Sequence, residues 1–108
     1  MAISIAQVWD SFPFQIDPGQ TVAIDSCPLS DFQHAEYIIN FTNQTNVNTK
    51  SLNLSVKRAD SDVEETVYSR LGSLAVNVTP LINGLNYELQ VTNNEAFAIE
   101  GTLARALL

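Results

Sequence analysis

His34 is the only histidine in this 108-residue chain, and Asp31 and Glu36 lie within three residues of it. Ser30 and Cys27 precede it. Together these are the residue types of a nucleophile, a general base and an orienting acid. A catalytic triad, however, is a geometric object rather than a local list, and so short a list arises readily by chance. His34 therefore reads as a loop or strand-edge histidine. Cys27 is followed by Pro28 and has no basic neighbour to stabilise a thiolate, so it reads as a packed thiol. As the single cysteine it has no partner for an internal disulfide.

Asp60-Ser61-Asp62 offers the oxygen ligands that calcium takes, but the glycine and distal glutamate of a calcium loop are missing. A turn with solvated acids is the simpler reading. Glu64-Glu65 reads as a solvated strand face. Asn40, Asn43, Asn53 and Asn77 each begin an Asn-x-Ser/Thr triplet. The start of the chain has neither a basic segment nor a long apolar run, so it does not read as a signal peptide. The triplets then follow from an Asn/Ser/Thr-rich composition. Gly-rich phosphate loops and paired metal ligands are absent from the sequence. The expectation is a protein that is not an enzyme, with no metal and no cofactor.

The charge balance narrows the partners. Net charge is −7, with only two lysines and three arginines. Nucleic-acid binding draws on clustered cations that displace counterions, so no nucleic-acid surface is expected. The same shortage argues against an anionic membrane, and no apolar run approaches the ~20 residues of a spanning helix.

Short alternating windows organise the chain. Leu52, Leu54 and Val56 alternate with Ser51, Asn53, Ser55 and Lys57, the period of a strand with one face buried. Leu74, Val76 and Val78 form a similar window. After the Asn83-Gly84 turn come Leu85, Tyr87, Leu89 and Val91, and finally Phe97, Ile99, Leu103 and Leu107. Ala35 to Thr42 is apolar on both sides, with Tyr37, Ile39 and Phe41 against Ile38, which predicts a central strand. Thr21 to Asp25 predicts a short strand with Val22 and Ile24 on one side. Residues 63 to 70 predict another, in which Val67 or Tyr68 chooses the face. Cys27 to His34 predicts a loop with at most one helical turn, and Asn43 to Lys50 a surface loop. Ile3, Ile5 and Val8 open a first window, but Pro13 and Pro18 predict an extended arm rather than a paired strand. The expected architecture is all-β, an antiparallel sandwich of jelly-roll or immunoglobulin-like type with seven or eight strands. Its predicted parts are an arm over residues 1–20 and one domain over 21–108.

Apolar residues gather at the two ends of the sequence. Trp9, Phe12 and Phe14 either staple the arm to its own sandwich or anchor it in a neighbouring subunit, since buried aromatics dominate interface energy. The chain closes on Leu103-Ala104-Arg105-Ala106-Leu107-Leu108. Leu103, Leu107 and Leu108, with the three aromatics, are the expected interface residues of a homo-oligomer, expected to be a trimer.

Four stretches carry a resemblance to a known group. They are Ala35-Glu36-Tyr37-Ile38-Ile39-Asn40, the strand Leu52 to Val56, the segment Thr66-Val67-Tyr68-Ser69-Arg70-Leu71-Gly72-Ser73, and the ending from Leu89-Gln90-Val91-Thr92-Asn93-Asn94-Glu95 to Leu103-Ala104-Arg105. Over residues 33 to 108 the chain resembles small β-sandwich modules of tailed-phage virions, frequent in phages of aquatic bacteria including cyanophages. The resemblance implies a structural protein assembled in the host cytoplasm and located in the virion. Its leading form is a capsid decoration (cement) protein that contacts the major capsid protein. Its alternative is a tail, baseplate or fibre component with a receptor-binding role. No catalytic residue comes with it.

Overall fold

A computed structural model describes residues 9–43 and 49–107. The expectations for Ile3, Ile5, Val8 and Leu108, and for the 44–48 part of the Asn/Thr-rich loop, lie outside them. The described residues form eight strands: β1 (Asp10–Ile16), β2 (Thr21–Pro28), β3 (His34–Asn43), β4 (Thr49–Ala59), β5 (Asp62–Gly72), β6 (Val76–Asn83), β7 (Asn86–Asn93) and β8 (Ile99–Leu107). The one helical piece among them is a 3-10 turn at Leu29–Asp31.

The strands build two antiparallel sheets, a larger one ordered β1-β8-β3-β4-β5 and a smaller one ordered β2-β7-β6. The fold is the all-β sandwich expected from the alternation. Pairing nests inward from the ends, first strand with last and second with seventh. That nesting belongs with the jelly-roll alternative rather than the immunoglobulin one, although β4 and β5 stay in the sheet of β3.

The core lies between the sheets. From the larger sheet come Ile16, Tyr37, Ile39, Phe41, Leu52, Leu54, Val56, Ile99 and Leu103, and from the smaller one Val76, Tyr87, Leu89 and Val91. β3 is central, flanked by β4 and β8. Asn83 pairs with Asn86 across the hairpin turn, and Gly84 takes φ +61°, a region that suits glycine.

Four expectations are corrected. Residues 10–16 are not a detached arm: β1 pairs with β8 over its whole length, Phe12 opposite Leu103 and Ile16 opposite Ile99. Pro13 is tolerated because β1 is an edge strand, whose outer side needs no donor. The alternation of β2 breaks at a bulge between Ala23 and Asp25, which turns Asp25 inward where simple alternation faces it to water. Leu85 sits in the hairpin turn and is 86% exposed. Leu107, in phase with Leu103, is the last residue of β8 and is 41% exposed. A second bulge sits in β5, where Asn53 pairs with Ser69 and Leu54 with Val67. The bulge puts Val67 against the core and leaves Tyr68 on the outer face, 57% exposed.

Candidate functional site

The sequence grouped His34 with Asp31, Ser30 and Cys27; the fold groups it differently. His34 and Glu36 face outward two residues apart on β3, and Ser55 lies opposite Glu36 on β4. His34 Nε2 lies 2.7 Å from Ser55 Oγ and 3.1 Å from Glu36 Oε1. Ser55 donates its one hydroxyl proton to Glu36 Oε1 at 2.9 Å, and Tyr68 donates to Glu36 Oε2 at 3.2 Å. With that proton committed to the carboxylate, His34 must be the donor to Ser55. In a triad the same nitrogen accepts the nucleophile's proton and the acid holds the other one. These contacts are arranged the opposite way, on a flat sheet face, and their chemistry is cross-strand pairing.

Cys27 lies on β2 opposite Tyr87, away from His34. Burial pushes its thiol pKa up and Asp25 adds to that, which disfavours the thiolate. Asp60 takes φ +56°, and Asp62 accepts a hydrogen bond from the Val63 amide. The Asp-Ser-Asp run is thus a turn. Among the described residues no three His, Cys, Asp or Glu side chains cluster to hold a metal.

The densest polar chemistry is between the sheets. Asp25, 7% exposed, is aimed inward by the β2 bulge. Tyr37 donates to Asp25 Oδ2 at 2.7 Å, and its oxygen lies 2.8 Å from the Tyr87 hydroxyl. Tyr37 has a single proton, so Tyr87 is the donor between the two phenols. Arg105, from β8, donates to Asp25 Oδ1 at 2.6 Å and to Asp10 Oδ2 at 3.3 Å. Its guanidinium lies 5.4 Å from the centre of the Phe12 ring, and Phe32 stacks on Tyr87 at 3.8 Å. Burial, with Tyr87 and Asp25 adding to it, drives the Tyr37 pKa far above the ordinary tyrosine range; burial likewise raises that of Tyr87. Burial pulls Arg105 down, but the nearby Asp25 charge and the Asp10 hydrogen bond outweigh it and its pKa is raised. The network therefore holds a buried ion pair with neutral phenols. Neither phenol is poised to give or take a proton near neutrality.

This network also fastens β1. Arg105 reaches Asp10 and Phe12 on β1 from one side and Asp25 on β2 from the other. Of the expected interface residues, Leu103 is fully buried in the chain's own core. Phe14 packs edge-on against Phe41 at 5.5 Å. Trp9, Phe12 and Leu107 remain 37%, 39% and 41% exposed. Phe12 pairs with Leu103 and Asp10 with Arg105, while Trp9 lies just before β1 and Leu107 ends β8. An open notch of about 330 Å³ is lined by Phe12, Ala23, Ile24, Asp25, Ser26 and Arg105. The available chemistry there is apolar contact beside a cation held by Asp25 and Asp10.

The sequence signalled the aromatics but not the ion pair. Asp25 and Arg105 lie 80 positions apart, and the bulge that aims Asp25 inward has no composition cue.

No family model matches this chain, and no curated protein matches it. Among solved structures it is similar to the tailspike protein of Acinetobacter phage vB_ApiP_P1, with a TM-score of 0.54 and 12% sequence identity. The similarity covers 98% of this chain and 24% of the tailspike chain, so this chain spans about a quarter of that protein's length. At that identity the likeness is one of fold, to one part of the tailspike chain.

Proposed function

We propose that this chain is a structural module of a tailed-phage virion, seated in the tail or fibre apparatus, and that it docks onto neighbouring virion proteins through the β1–β8 side. The observation that carries this reading is the fold similarity of nearly the whole chain to a segment of a phage tailspike. The module resemblance of residues 33 to 108 leads to the same class independently. The tail takes precedence over capsid decoration because the similar solved structure is a tail part. Trp9, Phe12 and Leu107 supply the exposed apolar area for docking. The outward His34 cluster and the buried Asp25–Arg105 pair both have structural roles in this reading, and the module has no enzymatic activity of its own.

Immunogold labelling of purified particles with an antibody against this chain tests the proposal. Label confined to the tail is the expected result. Label spread over the head, or none on intact or opened particles, would overturn it.

A further inference from the structure

The two sheets have four edges, and three of them carry a proline within the strand: Pro13 in β1, Pro28 in β2 and Pro80 in β6. Proline removes an N–H donor and blunts an edge against pairing with another chain. The fourth edge, β5, runs eleven residues with no proline, about 35 Å of backbone at the usual rise per residue. Its outer side pairs with no other strand among the described residues, and Tyr68 and Leu71 on it are 57% and 68% exposed.

Charged residues and bulges can themselves guard an edge, but in β5 their placement is self-complementary. The bulge lets Tyr68 and Ser69 share one position, so Arg70 returns to the face that Glu65 occupies; the two lie opposite Leu52 and Val56. Counted this way, Glu65 and Arg70 stand two positions on either side of Val67. Both are exposed, and among the described residues neither forms an ion pair. We propose that β5 pairs antiparallel with β5 of a second copy about a two-fold axis at Val67, joining two five-stranded sheets into one. Each Glu65 then faces the partner's Arg70, and Thr66 faces the bulge of the other strand. None of the three acids of β5 faces another acid. An interface of this symmetry uses the same patch twice, so each favourable pair is formed twice. Opposite charges facing across antiparallel strands stabilise and like charges destabilise. This inference concerns the isolated chain and does not rest on its place in a virion.

Light scattering and sedimentation of the purified chain over a concentration series give the test. The wild type should approach twice the 11.9 kDa chain mass as concentration rises. Arg70→Glu and Glu65→Arg, each with an unchanged circular dichroism spectrum, should weaken self-association at least tenfold. The double variant E65R/R70E inverts both contacts and should restore it. A wild type that stays monomeric throughout would overturn the proposal. So would a mass that the single reversals leave unchanged, or a double variant that does not recover.

Discussion

At the scale of single residues, one arginine ties three strands together, through a buried pair with Asp25 on β2 and a more exposed one with Asp10 on β1. Arg105 and Asp25 are nearly enclosed, with side chains 13% and 4% exposed. Removing one partner strands the other charge away from water, which typically costs about 3–5 kcal/mol. Arg105→Ala should therefore lower stability by about that amount in urea denaturation; a loss below ~1 kcal/mol would contradict the role given to the pair. Tyr37→Phe removes the donor to Asp25 and the acceptor for Tyr87, and should cost about 1–3 kcal/mol. The phenols also set an alkaline limit. Their folded pKa values lie above the unfolded value of about 10, so the stability they contribute is complete below that pH. It declines above it, because the unfolded chain then loses protons that the folded chain retains. In an ultraviolet titration the exposed Tyr68 should ionise first. Tyr37 and Tyr87 should ionise only as the protein unfolds. Three phenols titrating together in a folded protein would contradict the network.

At the scale of elements, β1 is a working strand of the larger sheet, and its two ends do different things. Ile16 is fully buried while Phe12 is 39% exposed. Ile16→Ser should destabilise by about 2–4 kcal/mol through lost burial and an added hydroxyl. Phe12→Ser should cost little stability yet reduce incorporation into particles, measured by infecting with the variant and quantifying the chain in purified virions. Equal losses of stability from the two changes would place Phe12 in the core rather than on a docking surface. Much of this level was legible in the sequence. The alternation of Leu52, Leu54 and Val56 and the two-sided apolarity of residues 35 to 42 each led to the right strand and the right face. The pairing of β1 was not legible, because Pro13 excludes a central strand but not an edge one, and edge position depends on the whole sheet. The inward turn of Asp25 and the outward turn of Tyr68 both arise from bulges, where one extra residue inverts the alternation. Leu85 continued the period of its neighbours, but a turn residue does not obey the strand period.

At the scale of the whole molecule, sheets of five and three strands leave an asymmetric sandwich. The β1 edge, with the part-exposed Phe12, lies on one side of the larger sheet and the proline-free β5 edge on the other. The Asp25 network joins the two sheets, and the His34 cluster joins neighbouring strands on the outer face of the larger one. The proposed class of assembly was legible in the sequence only as the resemblance carried by residues 33 to 108. The proposal of a tail part over a shell decoration rests on the similarity of fold to part of a tailspike. A tail part and a shell decoration differ in copy number, since a decoration follows the capsid lattice while a tail part is limited by the few positions on one tail. The most direct measurement is therefore the molar ratio of this chain to the major capsid protein in purified virions, by quantitative mass spectrometry. The account predicts a small fraction of the capsid-protein copy number, consistent with a tail. A ratio that scales with the capsid lattice, or absence of the chain from the particle, would contradict it.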